Sequence, residues 1–329
     1  MTKVYFATNR QKDSSKPGGF GSDIVGMQAD DVLYAVADVQ GTNLDDESSG
    51  RIASIGGEAQ GSFATAVENE IVASGKNLLI FIHGFANAFD DAIKRAAFNC
   101  NWLQASGNAG ADTTILAFTW PSSGALVAAP PHFLADDYRA DQAQAGKSAL
   151  HLAFFLNYVD NLRRRLKANT KVFLLAHSMG NYALQGAIQW WFANRGSAEI
   201  IFDEVILAAA DEIFDTFKRP NGGRMSDLPQ LANRISIYHS RKDVAMYLSS
   251  TVNLSVRLGF DGPDGKKDQS LYPAGKFRII DTTEVEDYDP VNPIDATHQY
   301  YRRSKIVRAD IAKLLANDPA LRGGLGQLP

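Results

Sequence analysis

The chain has 329 residues, of which 45% are hydrophobic and 21% charged, an ordinary globular balance that excludes the disordered, collagen-like and coiled-coil classes. Its 33 Lys and Arg stand against 37 Asp and Glu, a net charge of −4, so the basic excess of a general nucleic-acid-binding surface is absent. The single cysteine, Cys100, excludes an intrachain disulfide and a cysteine-based zinc site.

The opening residues, Met1 to Arg10, contain no apolar stretch of signal-peptide length. No apolar run approaches the roughly 20 residues of a membrane span, so the chain reads as soluble and cytoplasmic. Short β-rich runs then alternate with longer helical stretches, the pattern of a mostly parallel sheet of about eight strands covered by helices. Strands are expected at Val4 to Thr8, Val32 to Val39, Asn77 to Ile82, Thr114 to Trp120 and Lys171 to Ala176. Three more follow at Glu204 to Ala209, Arg234 to His239 and Phe277 to Asp281. The runs Leu78 to Ile82 and Val172 to Ala176 are apolar at every position, as central strands buried on both faces are.

Helices are expected at Asp90 to Ala105, within Asp136 to Lys167, at Met179 to Arg195 and at Asp310 to Asn317. Gln11 to Ser22, Gly41 to Gly61, Pro121 to Pro131 and Gly259 to Gly275 read as long irregular segments. No repeat or linker divides the chain, so one α/β domain over 1–329 is expected. Residues 121–150 and 244–276 are candidate lid or insertion segments, and 319–329 is expected to be a frayed tail.

The strongest chemical signal is Ala176-His177-Ser178-Met179-Gly180, between a buried strand and a helix. In G-x-S-x-G, small flanking residues permit the strained strand-to-helix turn that lifts a serine hydroxyl out of the sheet. Ala176 replaces the first glycine, the smallest possible departure. There the Met179 backbone N–H can face a developing oxyanion at the positive end of the helix. A plain helix N-cap is the bland alternative for Ser178. Upstream, Ile82-His83-Gly84-Phe85 ends another apolar strand before a helix, where the Phe85 N–H can supply a second oxyanion donor.

A nucleophilic serine needs a base, and the base needs an orienting carboxylate. In the order serine, acid, histidine that accompanies this kind of turn, only His239 and His298 of the six histidines qualify. His239 lies inside the alternating strand Ile235 to His239 and reads as structural, whereas His298 follows what reads as the last strand. Among the carboxylates, Asp243 and Asp211 both follow the ends of strands. Asp243 is preferred because its strand directly precedes the one leading to His298, and Asp211, one strand earlier, is the alternative acid. His83, His177 and Trp120 are candidate substrate-lining residues. Trp120 ends a strand expected beside that of Ser178, with core packing as its bland reading. The apolar stretch Leu126 to Phe133 is a candidate acyl wall or lid.

These stretches, with Tyr5 to Arg10, Trp120 to Gly124, Tyr238 to Asp243 and His298 to Tyr301, resemble the α/β-hydrolase superfamily, and within it a bacterial branch of hydrolase-like proteins of unknown function. The resemblance spans nearly the whole chain in the right order. It implies Ser178, Asp243 and His298 as a catalytic triad and names no substrate. The expected activity is that of a serine hydrolase, carboxylesterase- or lipase-like, acting on a small-molecule ester, thioester or amide. It calls for no cofactor and no metal, and the histidines are too scattered for a metal site. A catalytically silent binding or scaffold protein on the same fold is the alternative. Oligomeric state is not legible.

Overall fold

The computed structural model describes all residues except 47–48, 124–130, 196–198, 219–222, 289–296, 319–320 and 322, with the backbone alone at 109 and 131–134. The chain opens with β1 (Thr2–Thr8), the hairpin β2 (Arg10–Lys12) and β3 (Phe20–Ile24), then β4 (Leu33–Gln40) and β5 (Arg51–Gln60). Next come α1 (Thr65–Ser74), β6 (Asn77–Ile82), α2 (Phe89–Ala105), β7 (Thr113–Thr119), α3 (Pro131–Lys147) and α4 (Ala149–Arg163). The second half runs β8 (Val172–His177), α5 (Gly180–Arg195), β9 (Phe202–Ala208), β10 (Ala232–His239), α6 (Val244–Asn253) and α7 (Leu258–Asp261). It closes with β11 (Phe277–Asp281), α8 (Tyr300–Arg303), α9 (Lys305–Leu315) and β12 (Gly324–Gln327).

Ten of these strands form one sheet in the order β12-β11-β10-β9-β8-β6-β7-β1-β4-β5. The eight from β12 to β1 run parallel, and β4 and β5 add an antiparallel edge. Alternation along the central strands feeds two cores. Leu78, Ile80, Ile82, Leu174 and Ala176 pack with α3, α4 and α5 on one face. Leu79, Phe81, Phe173 and Leu175 pack with α2 and α9 on the other. Burial on both faces is why these strands are continuously apolar. In such a sheet the crevice beyond the carboxyl ends of the strands receives ligands. Ser178, Asp211 and Asp243 all lie at that edge, following β8, β9 and β10.

Several expectations are corrected. The residues 319–329 are not simply a frayed tail, because Gly324–Gln327 pairs in parallel register with Arg278–Asp281. His298 therefore precedes a further strand. The strand of Trp120, β7, lies between β6 and β1, so β6 separates it from the strand of Ser178. The segment Gly41 to Gly61 contains the ten-residue β5, and Gln11 to Ser22 contributes to a hairpin. The long helix within 136–167 is two helices, α3 and α4, which meet at Ser148. The helix expected from Asp310 starts five residues earlier, at Lys305, because the Ser304 hydroxyl accepts the Val307 N–H at 3.0 Å as an N-cap. The candidate segments 121–150 and 244–276 contain α3 and part of α4, and α6 and α7. Most of the Leu126 to Phe133 stretch lies outside the described residues, although its last three residues begin α3.

Candidate active site

Ser178 follows β8 in the left-handed region, at φ 53°, a conformation that L-residues avoid because the Cβ crowds the following carbonyl. Its surroundings hold it there. The Ser178 N–H donates to the Ala208 carbonyl at 3.1 Å. The Ser178 carbonyl accepts from the Asp211 N–H at 3.1 Å and from Asn181 Nδ2 at 3.1 Å. The second Asn181 Nδ2 proton goes to the carbonyl of Ala176 at 3.0 Å, so the residue replacing the first motif glycine is part of the brace.

Two glycines let this turn touch its neighbour. A Cβ on Gly180 would lie 2.5 Å from the His83 carbonyl oxygen, and one on Gly84 would lie 2.7 Å from the Ser178 Cβ. Neither position admits a side chain without moving backbone, which explains the glycine in both motifs.

The hydroxyl of Ser178 is 2.8 Å from His298 Nε2, and His298 Nδ1 is 2.8 Å from Asp243 Oδ2. The consistent proton assignment is a serine O–H donating to Nε2 and an Nδ1–H donating to the carboxylate. Asp243 is fully buried and caps α6, its Oδ1 accepting the Met246 N–H at 3.0 Å. Burial raises its carboxyl above the ordinary value, while His298 and the N–H groups of Met246 and Ala245 pull it back. The Val244 N–H donates to Thr297 Oγ1 at 3.0 Å, tying the residue after Asp243 to the residue before His298.

Asp211 is also buried, but its oxygens are spent elsewhere. Oδ2 accepts the Tyr138 hydroxyl at 2.8 Å and Oδ1 the Ser249 hydroxyl at 2.5 Å, with Arg257 Nε 3.5 Å from Oδ1. Of the two candidate acids, only Asp243 is hydrogen-bonded to the imidazole nitrogen that faces away from Ser178. The Phe85 and Met179 N–H groups make no hydrogen bond to any described residue.

The three candidate lining residues are packed. His83 Nε2 accepts the Trp120 backbone N–H at 3.1 Å, and Nδ1 is 2.9 Å from the Gly84 carbonyl. Burial holds its pKa well below the ordinary value, so the ring is neutral with its proton on Nδ1. Trp120 is fully buried, stacked on His83 at 5.1 Å and donating its indole N–H to the His83 carbonyl at 2.8 Å. His177 lies between the rings of His298, at 4.8 Å, and Tyr301, at 4.6 Å, and its Nε2 is 3.3 Å from the His298 carbonyl. Burial keeps it neutral, its pKa well below the ordinary value.

Residues that sequence reasoning missed are Tyr138, Asp141 and Thr297. The first two sit on α3, where nothing in the sequence singles them out among Asp136, Asp137, Arg139, Gln142 and Gln144, and the third belongs to no motif. Among the described residues no group of His, Cys, Asp and Glu is disposed to hold a metal ion, and no helix is long and apolar enough to cross a membrane.

No curated protein matches the chain. Similar solved structures include the product of the gene lin2722 from Listeria innocua, at 10% identity over 77% of this chain and 99% of that one, with a TM-score of 0.35. Another is a hyperthermophilic esterase from the archaeon Pyrobaculum calidifontis, at 14% identity over 77% of this chain and 67% of that one, with a TM-score of 0.28. Residues 59–317 match the family described as alpha/beta hydrolase of unknown function (DUF900), and with well over half of its length matched the chain belongs to that alpha/beta hydrolase family.

Proposed function

We propose that the protein is a serine hydrolase that cleaves carboxylic esters, or the related thioester or amide bond, of small molecules through an acyl-enzyme. The observation that carries this reading is the unbroken hydrogen-bonded line from Ser178 Oγ through His298 to Asp243, 2.8 Å at each step. In the first step His298 Nε2 takes the serine proton as Oγ bonds to the substrate carbonyl carbon. Asp243 then stabilises the imidazolium without taking its proton. The carbonyl oxygen, now negative, draws on the Phe85 and Met179 N–H groups, which have no described partner to give up. His298 returns the proton to the leaving alcohol. Water, activated by the same histidine, releases the acid and restores Ser178. None of these steps calls on a cofactor.

The test is labelling by a fluorophosphonate probe together with turnover of nitrophenyl esters, in the native chain and in Ser178→Ala. The variant should lose both while keeping its thermal midpoint, since a hydroxyl-to-hydrogen change removes one hydrogen bond. Undiminished turnover in Ser178→Ala overturns the reading. A native chain that neither labels nor turns over any ester would favour a silent scaffold.

A further inference from the structure

We infer that Asp141 is a positioning residue, whose carboxylate sets the turn Gly84 to Asn87 so that the Phe85 N–H is presented to the oxyanion; this rests on the serine-hydrolase reading above. Asp141 is 2% exposed and projects from α3, an element remote in sequence from both motifs. Its Oδ2 accepts the Ala86 N–H at 3.2 Å and the Ser122 hydroxyl, and its Oδ1 accepts the Ser123 N–H at 2.9 Å. Ala86 is held at φ 54°, a left-handed conformation that alanine does not choose unaided.

The rest of the turn is equally constrained. The Asn87 N–H donates to Ser122 Oγ at 3.0 Å, and Asn87 Nδ2 spans the carbonyls of Gly84 at 2.9 Å and Phe85 at 2.7 Å. Arg95 holds the Asn87 side-chain oxygen. The buried Arg10 guanidinium binds the carbonyls of Asn87 at 2.7 Å and Ser122 at 3.1 Å. Of the three N–H groups from 85 to 87, those of Ala86 and Asn87 are consumed, while that of Phe85 has no described acceptor.

Burying this many charged and polar groups around four residues is costly, and a core needing only stability is better served by apolar packing. Fixed donors aimed at developing charge do need such a frame. Tyr138, three residues before Asp141 on the same face of α3, brings its ring 6.0 Å from that of Phe85.

The experiment compares Asp141→Asn and Ser122→Ala with the native chain. Loss of one oxyanion donor costs about 10²–10³ in turnover, and a misaimed donor should cost a fraction of that, roughly 10- to 100-fold in kcat for Asp141→Asn. KM for a neutral nitrophenyl ester should change little, and the pH profile should keep its midpoint because His298 and Asp243 are untouched. Affinity for a trifluoromethyl ketone, whose adduct carries the oxyanion, should fall in parallel with kcat. Ser122→Ala, the milder change, should move both in the same direction and stands in if Asp141→Asn does not fold. Adding Ala86→Gly, which removes the steric penalty at φ 54°, should recover part of the loss in Asp141→Asn.

An unchanged kcat, a kcat loss without loss of ketone affinity, or no recovery with Ala86→Gly overturns the inference. Turnover that persists in Ser178→Ala overturns the serine-hydrolase reading and this inference with it. Activity lost in Ser178→Ala but intact in Asp141→Asn overturns this inference alone.

Discussion

Asp211 and Asp243 are both buried near the carboxyl ends of neighbouring strands, so their partners, not their positions, distinguish them. Asp243→Asn offers His298 Nδ1 an amide that can hold the wrong tautomer, and turnover should fall by up to roughly 10⁴-fold with little change in melting. Asp211→Asn leaves the imidazole line intact but takes the counter-charge from the buried Arg257, so it should lower the melting temperature and keep most of the turnover. Activity lost in the second variant and kept in the first would move the acid one strand over.

Glu212 permits a pH experiment. Its Oε1 accepts Arg224 Nη2 and the Ile213 N–H, both at 2.9 Å, but its Oε2 is buried with no partner among the described residues. Burial, with Arg224 opposing, pushes the carboxyl from 4.5 up to about 7. The folded chain then binds more protons here than the unfolded chain between those values. Stability from this residue is therefore present below about pH 4.5 and lost as pH rises through about 7. In Glu212→Gln the group no longer titrates, so the variant should gain melting temperature relative to the native chain at pH 8 compared with pH 4.5. A difference that does not vary with pH would refute the shift.

At the scale of elements, legibility followed burial. β6 and β8 to β11 are largely buried, and their ends were readable to within two residues. β6 and β8 are built on continuous apolar runs, and the polar Glu204, Arg234, Ser236 and Arg278 in β9 to β11 still leave Val, Ile and Leu among the remaining positions. β5 is mostly exposed at the sheet edge and contains Ser, Gly and Glu, so neither alternation nor propensity marks it. The break at Ser148 has a tertiary cause. The Ser148 hydroxyl donates to the Gln144 carbonyl at 2.8 Å and accepts from Asn9 Nδ2 at 2.9 Å, a contact 139 residues away in the chain. The site divided in the same way: chain order pointed to Ser178, Asp243 and His298, whereas Asp141 lies on a helix face with no local signature.

β12 is the extreme case, four residues of Gly-Leu-Gly-Gln that exist because β11 offers an unpaired edge. Gly323, just before it, passes so close to the 274 carbonyl that a Cβ would lie 1.6 Å from the oxygen. Gly323→Ala should therefore detach the strand. Amide exchange at Leu325 to Gln327 should become fast while ester turnover survives, since β12 is at the far edge of the sheet from β6. Slow exchange in the variant would mean that the strand is held from another point.

For the molecule as a whole, the balance of 33 basic against 37 acidic side chains sets a weak negative field. Such a field slows the approach of anions, acts little on neutral molecules, and is screened over about 10 Å at 0.1 M salt. Within the candidate site Asp243 is paired with His298, and Asp211 faces Arg257, so neither carboxylate stands alone against an approaching substrate. With this weak field and the apolar composition of the Leu126 to Phe133 stretch, the expected substrates are uncharged esters of short or medium acyl chain. Raising salt from about 0.02 to about 0.5 M should leave kcat/KM for a neutral nitrophenyl ester nearly constant and raise it for an ester carrying a carboxylate, as repulsion is screened. The opposite pattern, an anionic or phosphorylated ester preferred at low salt and losing its advantage at high salt, would point to a basic subsite and refute the expected substrate class. The identity of the nucleophile would be unaffected, because the salt experiment reads the approach to Ser178 and the Ser178→Ala experiment reads the bond it makes.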